Sequence, residues 1–363
     1  MNSERMGIWG RETPINRGGF LRSAAASVAI SDCACGDRRT RPNILWLIAE
    51  DLTNDLSCYG NAETRTPIID RLAAEGVRFQ RAYTTAPVCS ALRSAIATGL
   101  YQTRIGAHHH RSHRHDNCHI PEGVHHLTEH LGRAGYHTSN FINVDPGVLN
   151  RPERESLMDK TIIFFFGDNG RDLPRGKMFL HEGGIRVPLI IRVPERFRVP
   201  VLAPGSVRDD LVSAVDIAAP TLGLAGVNLP QIDGVDFLDT SSPKREYLFT
   251  ARDRNDDTVD RVGSVITRRF KYIRNFFPDR PYTQPNAGQD TANPSLSVMR
   301  GLFGHGKLCP EQARFMARTR PPEELYYLAG RSPRIPQSGW SARVRSNAHQ
   351  PARRFESLDR SDL

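Results

Sequence analysis

Two stretches of the chain are continuous apolar runs behind a single polar first residue, with no polar face. Residues 43–49 (NILWLIA) and 161–166 (TIIFFF) have strand length and no alternation, the pattern of strands covered on both sides in a parallel sheet. A helix is predicted from Pro67: Ile68, Ile69, Leu72 and Ala73 keep helical spacing, proline stands in the first turn, and Gly76 stops it. Residues 77–83 read as a second strand, 127–134 as a helix ended by Gly135, 136–144 as a strand, and 187–193 as a further buried strand. Residues 212–222 (VSAVDIAAPTL) read as an amphipathic helix packed on the sheet. Farther on, 246–251 and 263–273 alternate and carry β-branched and aromatic residues, as antiparallel strands do. The pattern predicts an α/β fold: a mostly parallel central sheet flanked by helices, with a smaller C-terminal antiparallel-sheet subdomain.

The ends of the chain depart from this pattern. Residues 330–363 are rich in Arg, Ser and Pro without an apolar period, which predicts a disordered tail. Near the other end, Arg17 and the short apolar run 24–30 resemble a twin-arginine export signal, with one arginine where that signal has two. The expected plan is a signal-like segment over 1–40, an α/β catalytic domain over 41–240 (shortened near 145–160), a C-terminal subdomain over 241–329, and the tail over 330–363. An export signal places the protein in the periplasm or outside the cell. No stretch is long and apolar enough to span a bilayer.

Composition narrows the partners. A chain of 363 residues, 39% hydrophobic, supports one large domain and a smaller one. The formal net charge is +9 and the pI about 9.5, which suits anionic partners. There is no zinc-finger spacing, recognition-helix pattern or basic stripe interleaved with aromatics, which argues against nucleic acid. The six cysteines show no framework spacing and leave the redox compartment open.

Candidate chemistry concentrates in three places. Residues 84–99 (TTAPVCSALRSAIATG) place Cys89 at the start of a helix, with Arg93 one turn on and on the same face. The open N–H groups of a helix start, with a guanidinium beside them, can hold a sulfate or phosphate; the plainer alternative is a core cysteine. The two apolar strands end in Glu50-Asp51 and in Asp168-Asn169, and ligands of open α/β sheets bind at such carboxyl ends. Carboxylates with an amide carbonyl suit a hard divalent cation, calcium or magnesium, rather than zinc. The alternative is that the acids only solvate the strand ends. Third, Lys177 and His181 stand four apart and could share a face. The histidine-rich run 108–115 (HHHRSHRH) lacks ligand spacing and reads as a solvated loop facing substrate.

These motifs resemble, in order, those of the type I sulfatases. Cys89-Ser90-Ala91-Leu92-Arg93 is similar to the family's C-x-P/A-x-R signature, residues 43–51 to its first strand and acid pair, and Asp168-Asn169-Gly170 to its second metal motif. Lys177 with residues 182–188 (EGGIRVP) resembles the K-x4-EGG-x-R-x-P segment, and 324–328 (ELYYL) the closing E-L-Y-x-L. The resemblance implies hydrolysis of sulfate esters, on a sulfated small molecule or glycan. It implies formylglycine derived from Cys89 by a formylglycine-generating enzyme; the hydrated aldehyde attacks sulfur, and sulfate leaves as the aldehyde reforms. It also implies a cation, calcium or alternatively magnesium, held by Glu50, Asp51, Cys89, Asp168 and Asn169, with Arg93 and Lys177 on the sulfate. Residues 251–254 (ARDR) resemble a subset acting on glycosaminoglycan-like sulfates.

The departures are specific. Glu50 stands where aspartate is usual, residues 142–145 (INVD) lack the family's active-site lysine and histidine, and a long segment before Asp168 is missing. His181 or a histidine of 108–115 is then the substitute leaving-group acid. The competing readings are a metal-dependent phosphoester or phosphonate hydrolase on the same scaffold, and a catalytically dead remnant that binds anions.

Overall fold

In the computed structural model, residues 41–110, 120–140, 157–228 and 231–328 are described. The segment 1–40, residues 111–115 of the histidine-rich run, residues 145–156 of the stretch expected to be shortened near 145–160, and the tail lie outside them. Five strands make the larger sheet: β1 (Asn43–Ala49), β2 (Val77–Tyr83), β3 (Thr161–Gly167), β4 (Leu189–Arg192) and β5 (Val207–Ser213), in the order β1-β3-β4-β2-β5. β1 runs parallel to β3 and β2 to β5, while β4 lies antiparallel to both of its neighbours. The sheet is therefore mixed, with one reversed strand.

Helices cover both faces. On one, Leu92 and Ile96 of α2 (Cys89–Thr98) pack on Phe79, Phe164 and Phe166. Leu127 and Leu131 of α3 (Leu127–Arg133) meet Ala218 and Leu222 of a later helix above Ile44 and Trp46. On the other, Ile69, Leu72 and Ala73 of α1 (Pro67–Glu75) pack on Phe165 and Ile190. No described helix is long and apolar enough to cross a membrane.

Several expectations are corrected. β1 is not covered on both sides: among the described strands it lies at one edge of the sheet, with Leu45 42% and Leu47 38% exposed. Residues 136–140 form no strand, and 141–144 are outside the described residues. The helix expected from 212 begins later, because Val212 and Ser213 end β5; a turn over Ala214–Ile217 intervenes before α5 (Ala218–Leu224), with the very short α4 (Glu182–Ile185) preceding it in the chain. Asp209 and Asp210 disguise β5 in sequence; both are ion-paired, with Arg81 and Arg208.

The second sheet is antiparallel, β6 (Tyr247–Arg252), β7 (Val262–Thr267), β8 (Phe270–Asn275) and β9 (Glu323–Tyr327) in that order. Between β8 and β9 run α6 (Ala287–Ala292), α7 (Pro294–Gly304) and α8 (Pro310–Phe315). An apolar cluster joins the sheets: Tyr83, Ile185 and Leu211 pack with Leu248, Ile266 and Ile273.

A buried ion pair fixes the link into the second sheet. Asp216, 1% exposed, accepts from the amides of Ser213 and Val235 at 2.9 Å each. Arg245 grips the same carboxylate with Nε and Nη2, and its Nη2 also donates to the Asp233 carbonyl at 2.8 Å. Arg245→Met strands the carboxylate, so it is expected to lower the unfolding free energy by about 3–5 kcal/mol. The readout is a lower urea midpoint with an unchanged m value.

Candidate active site

The parallel register of β1 and β3 sets Ala49 opposite Gly167, so the residues just beyond each strand emerge side by side. The Asp168 amide donates to the Ala49 carbonyl at 3.0 Å, and Asp168 Oδ1 accepts from the amides of Asp51 (3.0 Å) and Asn169 (2.8 Å). Asn169 Nδ2 donates to Asp51 Oδ1 at 2.6 Å and to the Gly170 carbonyl at 2.9 Å. Asp168 and Asn169 are fully buried. Burial pushes the Asp168 carboxyl up, with the Asp51 amide and Arg93 opposing it. Asp51 has a φ of +51°, a left-handed conformation that costs a non-glycine residue about 1–3 kcal/mol and gathers at functional sites. Gly167 is required here, because a Cβ on it would stand 2.5 Å from the Leu52 carbonyl oxygen.

Cys89 is the first residue of α2, after the extended Val88, and no side chain caps this helix start. Its Sγ lies 2.9 Å from Glu50 Oε1. Arg93 Nη2 bridges Glu50 Oε2 at 2.7 Å and Asp168 Oδ2 at 2.9 Å. One ligand atom from each of Glu50, Asp51 and Cys89 lies within 4.8 Å of the others. Burial pushes the Cys89 thiol up to about 12, reinforced by the Asp168 charge and by Glu50. Glu50 is held below the usual carboxylate range: burial opposes the shift, but Cys89, Arg93 and Lys177 outweigh it.

Lys177 arrives from an irregular segment rather than a helix, so it shares no helical face with His181. Its Nζ contacts Asp51 Oδ1 at 2.8 Å and Oδ2 at 2.9 Å. Glycines let this segment close on the rest. A Cβ on Gly170 would fall 1.7 Å from the Gly183 carbonyl oxygen, and one on Gly184 2.1 Å from that of Phe179.

His181 is the residue the structure does not bring to this cluster. It is 6% exposed, with Nε2 3.5 Å from Glu324 Oε2 and with ring contacts to Phe179, Tyr282 and Tyr326. The described histidines of the 108–110 run also pair elsewhere: His108 with Asp253, His109 with the Arg254 amide, and His110 with Asp256. Arg252, read in the sequence only as part of the 251–254 run, is buried and donates to the Met178 carbonyl at 2.8 Å. The signal for it was an arginine on the inward face of an alternating strand.

The donor set fits a hard divalent cation. Three carboxylates (Glu50, Asp51, Asp168) face two cations (Arg93, Lys177), an excess of one negative charge. The buried Asn169 Oδ1 has no hydrogen-bond partner. Oxygen donors of this kind suit calcium or magnesium.

Fold and centre together define an α/β protein with a polar, cation-suited centre at the carboxyl ends of its strands. A sulfatase family model matches residues 42–151 and 147–227, and the chain belongs to the sulfatase family. An ulvan-active sulfatase of Formosa agariphila is 26% identical over 418 aligned residues, covering 79% of this chain and 69% of that protein. An N-acetylgalactosamine-6-O-sulfatase of Bacteroides thetaiotaomicron is 44% identical over 70 residues, 19% of this chain and 14% of its own length. Among solved structures, that of Ps i-CgsB in complex with k-i-k-neocarrahexaose has a TM-score of 0.53 at 16% identity. The match covers 73% of this chain and 92% of that one, a likeness of fold.

The His181–Glu324 pair carries a pH consequence. Burial pushes His181 down to about 4, against the pull of Glu324, so the imidazole is neutral in the folded protein. Burial would raise Glu324, but hydrogen bonds from His181, Tyr282 and Tyr326 hold it well below the usual range. Both folded-state values lie below the unfolded ones, so the unfolded chain binds more protons in acid. Stability is then lost as pH falls from about 6.5 through the folded-state value of His181 near 4. Between pH 7 and 5 the wild type is expected to lose roughly 2 kcal/mol more than His181→Gln. Urea titrations of both proteins at the two pH values check this.

Proposed function

We propose that the Glu50–Asp51–Cys89–Asp168 centre hydrolyses sulfate esters of a sulfated carbohydrate, after conversion of Cys89 to formylglycine and with calcium bound. The observation that carries this reading is the meeting of Cys89, the Glu50-Asp51 pair, Asp168, Arg93 and Lys177 within direct contact distances. Glu50, Asp51, Asp168, Asn169 and residue 89 would hold the cation, with magnesium as the alternative. Formylglycine supplies a hydrated aldehyde as nucleophile, and the cation supplies Lewis-acid polarisation of a sulfate oxygen. Arg93 and Lys177 orient the sulfate and stabilise the charge that develops as the ester bond to sulfur breaks. Asp168 and Asp51 hold those two cations in place.

The carbohydrate assignment draws on the ulvan-active and N-acetylgalactosamine-6-O-sulfatase relatives. The reading includes a formylglycine-generating partner enzyme and export to the periplasm or beyond. It also includes a catalytic domain over 41–240 with a subdomain over 241–329. One observation favours a second reading, an anion-binding remnant without turnover: His108, His109, His110 and His181 all have partners outside the cluster, so none of these four is assigned to protonate a leaving group.

The deciding measurement is peptide mass spectrometry of the Cys89 peptide from a host that carries the maturation enzyme. Conversion lowers the mass by roughly eighteen daltons and gives a hydrazide-reactive aldehyde. Converted protein is expected to release sulfate from sulfated glycans, and Cys89→Ala to abolish release. Conversion without turnover favours the remnant reading, and a persistent thiol removes the proposed mechanism. Calcium at about a hundredfold over its Kd should add roughly 2.7 kcal/mol of stability. Chelation should remove that gain, and Asp168→Asn should lack it.

A further inference from the structure

The segment that carries Lys177 is strained and tied down. Arg175 and Met178 have φ values of +64° and +75°, both left-handed and neither a glycine. Met178 is held from both sides of its peptide planes. Its amide donates to the Pro87 carbonyl at 2.9 Å, two residues before Cys89, and its carbonyl accepts from Arg252 Nη1 at 2.8 Å. Lys177 itself has only one described backbone tie, from its amide to the Arg171 carbonyl at 2.7 Å. Arg252 therefore grips the residue next to the lysine from outside the larger sheet.

Arg252 is built to hold still. It ends β6, is 3% exposed, and lies with its guanidinium carbon 5.7 Å from the centre of the Phe179 ring. The preceding Ala251 amide donates to the Thr85 carbonyl at 3.0 Å, which fixes the end of β6 against the approach to α2. Its charge is balanced by Asp260, 3.6 Å from Nη2, and Asp260 is clamped by both terminal nitrogens of the buried Arg320. Asp260 thus keeps a partner even when Arg252 is replaced.

We propose that Arg252 is a positioning residue: by holding the Met178 carbonyl it fixes the left-handed turn that aims Lys177 Nζ at Asp51. The second sheet thereby sets the geometry of a charge in the centre on the first. The consequence for turnover rests on the reading of Lys177 as a sulfate-site lysine, whereas the positioning itself does not.

Two measurements on the full chain separate these claims. In the first, folded wild type and Arg252→Met are labelled with an amine-reactive ester, and each lysine is followed by peptide mass spectrometry. Lys177 is expected to label several-fold faster in the variant, while Lys271, 1% exposed and paired with Glu182, stays at its wild-type rate. An unchanged Lys177, or a rise at both lysines, overturns the proposal. Should Arg252→Met fail to fold, Arg252→Lys keeps a charge beside Asp260 but loses the reach of Nη1, and it is judged by the same outcomes.

The second measurement is a double-mutant cycle on a sulfated glycan with converted enzyme. Arg252→Met and Lys177→Met are each expected to lower kcat/KM on the order of 10- to 100-fold. The double variant is expected to lose no more than Lys177→Met alone, and additive losses would overturn the proposal. A wild type without turnover counts against the sulfatase reading, while the labelling result still decides the role of Arg252.

Discussion

The candidate centre depends on one constraint, the parallel register that sets Ala49 against Gly167. Two strands that run the same way carry their next residues to the same edge, so side chains more than a hundred positions apart in the chain become neighbours. The register is completed by the polar groups themselves. Asp168 accepts from the Asp51 and Asn169 amides, and Asn169 donates back to Asp51. A fully buried carboxylate is costly unless its lone pairs are met. Here backbone amides and Arg93 meet them. A shift of one residue would turn every side chain of β1 to the opposite face and separate the Glu50-Asp51 and Asp168-Asn169 pairs.

Around this edge the backbone is held in conformations that an unsupported chain would leave. Asp51, Arg175 and Met178 all have positive φ without being glycine, and such strain persists only where neighbouring structure over-determines it. The support has two forms. Gly170 and Gly184 allow carbonyls to approach where no Cβ fits. Arg252 and Pro87 hold Met178 on either side. The apolar joint of Tyr83, Leu211, Leu248 and Ile273 keeps the two sheets together while this happens.

Local pattern determined the features that could be read in the sequence. The unbroken apolar runs marked β1 and β3, proline and glycine bracketed α1, and the short polar pairs after the strands lay where a parallel sheet would gather them. Three features depend on partners that sequence does not name. The edge position of β1 comes from the absence of a described strand beyond it, not from its own residues, which are almost all apolar. The reversal of β4 cannot be told from a run as short as LIIR. His181 stands four residues from Lys177, yet without a helix between them spacing places nothing, and the imidazole turns to Glu324.

The stretch expected to be shortened, between α3 and β3, takes no part in the contacts that assemble the centre. The family model matches in two segments that meet at residues 147–151. The alignment to the ulvan-active sulfatase, at 418 positions, is longer than the 363-residue chain and so carries gaps on this side. Glu50, Asp51, Cys89 and Arg93 precede the join, and Asp168, Asn169 and Lys177 come after it. The two halves are brought together by strand pairing, α2 and the glycine contacts, none of which passes through residues 141–156. Leu45 and Leu47 stand exposed on the edge strand β1, but the three carboxylates, the cysteine and both cations keep their mutual contacts. The histidine side of the chemistry has no such protection. His108, His109, His110 and His181 are held instead by Asp253, the Arg254 amide, Asp256 and Glu324, so the contacts that assemble the centre leave these four imidazoles with other partners.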